Sequence, residues 1–339
     1  MLTIIGLDSL AYALAAAFPE SPFWQTVGEQ MGHADWEGLR VYDLVFPLFV
    51  FIAGIAMCFS QHKARLRGRS RAGQSAHLWK RALLLVILGW AVNGPLSWDA
   101  ENMRYASVLG LIGLSCAAAG SLALLLRRSS FLIIASLVLL GGIWLAQSLG
   151  GDYTPAGSLN AWLDSRFCPG HLHNDTHDPE GILCIVSATA LALSGFLCGR
   201  LFLVQTRPLS RLLTLVFIGG LLLTIGLQGT LIKSIWTPPF VLTIAGTGFL
   251  LMALFHLTID LPGWKAWNYP LRVVGTNALF IYLFTHVLSF HELTERLFGG
   301  TLRLLVPGAW LNIGHSAAYL MLAWLLCLFL YRKGIFIKI

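Results

Sequence analysis

The sequence predicts an all-α, polytopic integral membrane protein of about ten transmembrane helices, and three observations predict it. Of its 339 residues, 56% are hydrophobic and only 12% are charged, and mean hydropathy is +0.72. That leaves too little polar surface for a soluble domain of this length. The apolar residues form runs of membrane-spanning length, separated by charges or turn residues. The basic residues collect in alternate loops, the pattern that sets membrane topology.

In chain order the candidate spans are 2–18, 39–60, 82–98, 106–126, 130–149, 181–203, 212–231, 238–258, 273–290 and 316–331. The first is short and contains Asp8, so either it is incomplete or Asp8 faces a polar interior. No signal peptide is expected ahead of it. The second grows out of Gly32–Met57, where a titratable loop (His33, Asp35, Trp36, Glu37) runs without a break into an apolar helix. Asp35 can cap that helix, its carboxylate accepting backbone N–H groups that lack helical partners. Asp43 lies about two turns below the start. From Leu39 to Phe59 the run is long enough for roughly 30 Å of hydrocarbon. A carboxylate there costs a few kcal/mol, which marks Asp43 as functional unless Arg40, on the same face, simply neutralises it.

Asn93, in WAVNGPLSW, closes the third span, and Arg104 opens the fourth. Loop 150–180 ends in HLHNDTHDPEGIL, which brings His177, Asp178 and Glu180 to the sixth span. In a purely structural reading Asp178 caps that helix and Pro179 takes its first position. Spans seven and eight are joined by QGTLIKSIWTPPF, with Lys233, Ser234, Trp236 and Thr237, and the ninth carries Asn277, Tyr282 and His286. Residues 291–315 are too mixed to span and are expected along the interface. With no repeat, linker or soluble module, residues 1–339 read as a single transmembrane domain.

A cytoplasmic N-terminus places 61–81, 127–129, 204–211, 259–272 and the tail from Arg332 inside, so both termini are cytoplasmic. Together with the adjoining span ends, these segments hold 17 of the 23 Lys and Arg but one of the 16 acids, Asp260. The net charge of +7 is therefore a topology signal and excludes nucleic acid as the expected partner. Loop His62–Arg81 has seven basic residues and no acid. It reads as a topology determinant on anionic headgroups, or, through Lys80 and Arg81, as a hold for a polyanionic ligand from the cytosol. The six cysteines have no metal spacing; Cys168 and Cys184 lie near one surface, where they could pair. His171, His173 and His177 suggest zinc, but no nearby Cys completes a set and an acidic loop explains them, so no metal is expected.

Sorted by side, His33, Glu37, Asn93, Arg104, His177, Asp178, Glu180, Lys233, Trp236 and His286 come from five junctions at the outer boundary, with Asn277 deeper. Each has a structural alternative. Trp236 can anchor the aromatic belt, and His286 can be a buried histidine bonded to a backbone carbonyl. Their convergence is what points to an outward-facing polar site.

His33-Ala-Asp-Trp36-Glu-Gly-Leu, followed by Tyr-Asp43-Leu-Val-Phe-Pro47, resembles a motif of the heparan-alpha-glucosaminide N-acetyltransferases and their bacterial relatives. So do His177-Asp-Pro-Glu180-Gly, Lys233-Ser-Ile-Trp236-Thr and Gly275-Thr-Asn277-Ala-Leu, in the same order along nearly the whole chain. The resemblance implies a multi-pass acyltransferase of a bacterial inner (plasma) membrane. It would take acetyl from cytosolic acetyl-CoA and deliver it to a glucosamine-type amine on the periplasmic side, with His33 catalytic. The chain departs from the family at its start, where a Leu-Arg-Gly-Phe-Asp-like stretch is missing and the beginning is expected to be truncated or misassigned. Nor is the large luminal domain of the animal enzymes expected in it.

Acetyl transfer to an amine needs a base for the amine proton, work that imidazole does well near neutral pH. Alternatively His33 attacks the thioester and carries the acetyl as acetyl-imidazole. Asp43 would orient it, but ten helical residues would separate the two by ~15 Å, so contact requires loop 33–36 to fold back. For the substrate side, Asn93, Arg104 or Lys233 suit a thioester oxyanion, Asp178 and Glu180 an aminosugar's ammonium and hydroxyls, and Trp236 stacking on a sugar, with His286 beside them. Lys80, Arg81, Arg272 and Asn277 are the candidates for acetyl-CoA. The expected partners are an amino-sugar or glycan acceptor and the lipid bilayer, and a homodimer is allowed. The competing readings are O-acylation of a surface glycan and transport of a sugar or small anion. Transport lacks the paired, broken spans it usually shows.

Overall fold

In the computed structural model the chain is helical, and the structure describes residues 1–94, 103–287 and 290–337. The helices are α1 (Asp8–Ala17), α2 (Pro22–Gln30), α3 (Val41–Leu66), α4 (Arg71–Asn93), α5 (Val108–Leu126), α6 (Ser129–Leu149), α7 (Leu159–Phe167) and α8 (Ile182–Val204). They continue with α9 (Pro208–Gly226), α10 (Pro238–Phe255), α11 (Tyr269–Thr276), α12 (Ala278–Val287), α13 (Phe290–Thr294), α14 (Gly300–Leu305) and α15 (Leu311–Arg332). Among the described residues, eight helices are long and apolar enough to cross a membrane: α3, α4, α5, α6, α8, α9, α10 with its extension to Asp260, and α15. The chain is a multi-pass membrane protein.

The first and ninth expected spans take other forms. The first is a short apolar helix, Thr3–Ala17, kinked at Ile5 and Gly6. Gly6 has φ +129°, and a Cβ there would lie 2.8 Å from the Tyr319 ring, so the kink needs glycine. The ninth is interrupted at Asn277, between α11 and α12. Residues 95–98 of the third expected span, 288–289 of the ninth, and Lys338 lie outside the described residues.

The described residues gather into two compact units. The first comprises residues 1–34, 40–45 and 263–339. Its core is Ile5, Val273, Val274, Ile281, Phe290, Ala323 and Cys327. At the break, Asn277 is engaged by residues remote in the chain. Its buried amide donates to Ile335 O (3.0 Å) and accepts from Ile337 N (3.0 Å), which ties down the chain after α15. Residues 291–315, expected along an interface, form the short helical segments α13 and α14 and the start of α15, with Glu295 bonding Arg303 and lying 3.2 Å from His315.

The second unit comprises residues 35–39 and 46–262. Helices in lipid gain little from apolar burial against each other, so they associate where small residues let backbones approach. A Cβ on Gly54 of α3 would sit 2.1 Å from Ala192 O of α8, and one on Gly195 would sit 2.0 Å from Phe51 O. Gly219 and Gly246 play the same part between α9 and α10. Leu137 and Val138 on α6 and Leu213 and Phe217 on α9 stay exposed, as lipid-facing residues do. The basic end of this unit spends its cations on carbonyls. Arg200 donates to Arg127 O and Arg211 to Gln205 O, helix-end oxygens that lack helical partners.

Candidate functional site

In the first unit the polar chemistry centres on His33 and Asp43. The loop does fold back: His33 Nδ1 lies 2.7 Å from Asp43 Oδ1. The second carboxylate oxygen accepts from Ala34 N (3.2 Å) and Arg40 N (3.0 Å). Helix α3 therefore begins at Val41, and Asp43, not Asp35, receives the backbone donors at its start. Asp35 is exposed and bypassed because an acceptor inside the first turn is already fixed there. The Arg40 guanidinium donates to His33 O at 2.7 Å, so it braces the loop. Tyr42 packs edge-on against the His33 ring (4.8 Å between centroids) and donates its hydroxyl to Asp8 Oδ2 (3.2 Å).

Asp43 is 1% exposed and the His33 side chain 54%. A buried carboxylate accepting from Nδ1–H fixes the imidazole tautomer and directs its basic lone pair to Nε2. Such a pair can supply a base or a nucleophile, with the carboxylate as counter-charge to an imidazolium. Tyr42 and Asp8 escaped the sequence reading as members of this cluster. Tyr42 next to Asp43 was the only signal, and nothing in the sequence pairs it with Asp8.

In the second unit Arg104, Asp178 and Glu180 form an ion triad. Arg104 grips Asp178 with two bonds, Nε–Oδ2 and Nη2–Oδ1, both 2.7 Å, and also bonds Glu180 Oε2. Asp178 accepts further from Glu180 N (3.0 Å) and His173 N (3.1 Å). Burial pushes the Asp178 carboxyl up, but the Arg104 bonds and charge outweigh it and hold the group below its ordinary value. Burial raises Glu180 to about 7, with Arg104 pulling down and Asp178 pushing up. Arg104 already neutralises Asp178, so the second carboxylate is the one that takes up a proton.

Asp178 thus does not cap α8. Asp164, a residue the sequence reading passed over, accepts from Asp178 N (3.2 Å) and Ile182 N (3.1 Å), and α8 begins at Ile182, three residues beyond Pro179. Burial raises the Asp164 carboxyl above its usual range. Gly181 is required beside it, since a Cβ would lie 2.2 Å from Asp164 Oδ2. Cys168 and Cys184 are both free. Cys168 Sγ lies 3.7 Å from Asp164 Oδ1, whereas Cys184 Sγ faces Asp178 O and Ser234 O.

Around the triad, the His177 ring meets Trp36 edge-on (5.2 Å), and burial lowers its pKa. Its ring nitrogens face Thr176 Oγ1 (3.0 Å) and Asn174 Nδ2 (3.1 Å). Trp36 Nε1 donates to Tyr153 O (2.7 Å), and Glu37 and Gly38 pair with Ile232 and Leu231. Asn93 donates to Arg104 O (3.1 Å) and Ala106 O (2.7 Å), which orients the strand of chain carrying Arg104. Lys233 sits partly buried one residue past the Glu37 pairing.

Trp236 differs from expectation. It is fully buried, not at a rim, with Phe46 and Phe240 packed edge-on at 5.7 and 5.8 Å. Its φ of +49° turns the backbone so that the ring enters the unit and its carbonyl accepts from Ser187. His286, in the first unit, is exposed, with Nδ1 2.8 Å from Tyr282 O. It has the backbone bond expected of a structural histidine without the burial. Of the residues set aside for acetyl-CoA, Lys80 is exposed and Arg81 half-buried on α4. Arg272 lies over the Tyr269 and Tyr331 rings, and Asn277 clamps the end of the chain.

No family model matches the chain. It is 25% identical over 390 aligned positions to heparan-alpha-glucosaminide N-acetyltransferase of Homo sapiens, an alignment covering 91% of this chain and 55% of that protein. The Mus musculus heparan-alpha-glucosaminide N-acetyltransferase is 25% identical over 381 positions, with 91% and 56% covered. The chain thus spans little more than half the length of these curated relatives.

Proposed function

Proceeding from its distant homology to heparan-alpha-glucosaminide N-acetyltransferase, we propose that this protein is a membrane-embedded acyltransferase. It takes acetyl from acetyl-CoA and transfers it to the amine of a glucosamine-type acceptor. The observation that carries this reading is the 2.7 Å contact of His33 Nδ1 with the buried Asp43 carboxylate, which aims the basic Nε2 lone pair. In one route Nε2 takes the amine proton as nitrogen attacks the thioester carbonyl and CoA leaves as thiolate. In the other, Nε2 attacks first, CoA leaves, and the acetyl-imidazole then gives its acetyl to the amine. Both routes make an imidazolium, and Asp43 is the counter-charge for either.

The bias of Lys and Arg among the loops supports a cytoplasmic N-terminus, with His33 on the opposite side. That orientation makes the reaction vectorial: CoA is used from one face and the acceptor from the other. Within the second unit, Arg104, Asp178, Glu180 and Asn93 fix the chain between the helices, because their polar atoms are engaged with one another and with nearby backbone.

Incubating the purified protein with acetyl-CoA and a panel of glucosamine, its oligomers, muramyl sugars and simple amines, while following free-thiol release, tests the reading. Acceptor-dependent thiol release with a hydroxylamine-stable product is expected. A hydroxylamine-labile product would mean O-acylation, and no release with any acceptor would defeat the enzyme reading.

A further inference from the structure

Within the first unit, Asp8 opens the short apolar helix α1, where an ionised carboxylate is costly unless its oxygens are bonded. One oxygen accepts from Ser9 N at 2.7 Å. A capping acid would turn to further backbone donors of its own helix. Asp8 instead accepts from the Tyr42 hydroxyl at 3.2 Å, 34 positions along the chain. Its own place is fixed by two contacts with α15. The kink at Ile5 and Gly6 sets the start of α1 beside the Tyr319 ring. Ser316 donates its hydroxyl to Ser9 O at 3.3 Å.

Tyr42 carries that anchorage to His33. It is the second residue of α3, and its ring meets the imidazole edge-on, with 4.8 Å between centroids and 63° between planes. The next residue, Asp43, holds Nδ1 at 2.7 Å. These two contacts constrain different things. A bond from Nδ1–H to one carboxylate oxygen settles which nitrogen carries the proton, but it tolerates a broad range of angles and leaves the ring plane free to swing. His33 is 54% exposed, so burial alone does not hold the plane. An edge-on aromatic neighbour does restrain it. That neighbour is effective only if it keeps one rotamer itself, and the Asp8 bond pins the far end of the Tyr42 ring. Packing needs the ring alone, which phenylalanine would supply. The hydroxyl and the carboxylate that receives it, on a second helix, are what packing leaves unexplained.

We propose that Tyr42, tethered by Asp8, is a positioning residue for His33: it sets the plane of the imidazole, while Asp43 sets its tautomer. Together they aim the Nε2 lone pair along one line of approach. This inference rests on the acyltransferase reading above, in which Nε2 either takes the amine proton or attacks the thioester carbonyl. Both steps are steep in geometry, since a misplacement of about 1 Å can cost about a hundredfold in rate.

The test uses the full-length protein in nanodiscs, with thiol release from acetyl-CoA in the presence of glucosamine, melting temperature, and the NMR order parameter of the His33 Cε1–H bond, assigned by its loss in His33→Gln. Tyr42→Leu is expected to lower kcat about tenfold to a hundredfold, with both KM values within about twofold of the parent. Its His33 order parameter should fall from a rigid value of about 0.85 to below about 0.6. Tyr42→Phe and Asp8→Ala break the same tether, so each lowers kcat severalfold and the double variant falls no further than the worse single one. Asp8→Asn keeps an acceptor for the hydroxyl and should restore most of the parent rate. If Tyr42→Leu does not fold, the tether variants decide. A lowered melting temperature with kcat unchanged would make Tyr42 a packing residue and overturn the inference, leaving the acyltransferase reading in place. Raised KM at unchanged kcat would make it a substrate contact and also overturn the inference. A parent that releases no thiol with any acceptor would defeat the acyltransferase reading; a His33 ring that stays rigid in Tyr42→Leu would defeat the positioning role by itself.

Discussion

Asp43 reaches back ten positions to hold His33 Nδ1 at 2.7 Å, so the first turn of α3 and the loop before it act as one chemical unit. His33→Ala should abolish acetyl transfer, and Asp43→Asn should lower turnover by roughly 10²–10⁴, the span of general acid–base effects. The sequence alone predicts a change of no more than ~0.5 kcal/mol in stability for a loop histidine. The contact changes that expectation: losing the imidazole deprives a buried carboxylate of a donor, at about 1–3 kcal/mol. Turnover and detergent melting temperature on both variants check this. Activity of His33→Ala within tenfold of the parent would remove the histidine from the mechanism.

Arg104→Ala should be among the most damaging single changes, since it strips the partner from two buried carboxylates. Breaking such a buried pair costs about 3–5 kcal/mol. Arg104→Lys keeps the charge but cannot make the two-pronged grip on Asp178, and should fall between. A melting point unmoved in Arg104→Ala, with only KM raised, would instead make Arg104 a substrate ligand.

Stability should depend on pH through Glu180. Its carboxyl is raised from an ordinary 4.5 to about 7, so between those values the folded chain keeps a proton that the unfolded chain gives up. Stability therefore declines as pH rises from about 4.5 through about 7. Glu180→Gln has no proton to lose, so the variant should gain on the parent across that window. Asp178 has the opposite sign, its lowered carboxyl losing its contribution as pH falls below 3.8. His177, lowered by burial, contributes equally to both proteins and drops out of the comparison. Parallel melting curves for parent and variant from pH 4.5 to 8 would contradict this.

Lys233 and Trp236, three residues apart, should separate by readout. Lys233→Ala is expected to lower turnover about a hundredfold if the ammonium stabilises the thioester oxyanion, with Lys233→Arg much milder. Trp236→Ala should cost about 3–5 kcal/mol as a filled core position is emptied, because Phe46 and Phe240 occupy the ring edges. A kinetic loss in Trp236→Ala at an unchanged melting temperature would return the tryptophan to the binding site.

Much of this was legible because membrane sequences carry long-range information in short runs. Length and hydropathy located the spans that became α3 to α6, α8 to α10 and α15, and an intramembrane acid pointed to Asp43. What stayed hidden depends on partners remote in the chain. Asp178 reads as a cap in any local window, and only Arg104, 74 positions away, diverts it and hands α8 to Asp164. Trp236 reads as a belt residue until its positive φ is seen to turn the ring inward. Asn277 reads as a polar residue in a span, whereas its bonds to Ile335 and Ile337 make it a stop.

The close crossing at Gly54 and Gly195 also constrains the order of biogenesis. Gly54 leaves the ribosome with α3, but the backbone it must meet belongs to α8, which emerges only after α4 to α7. The crossing can therefore form only once α8 has emerged, which makes it a late contact in the assembly of this unit. A methyl group at either glycine would collide with the facing backbone and hold the two helices apart.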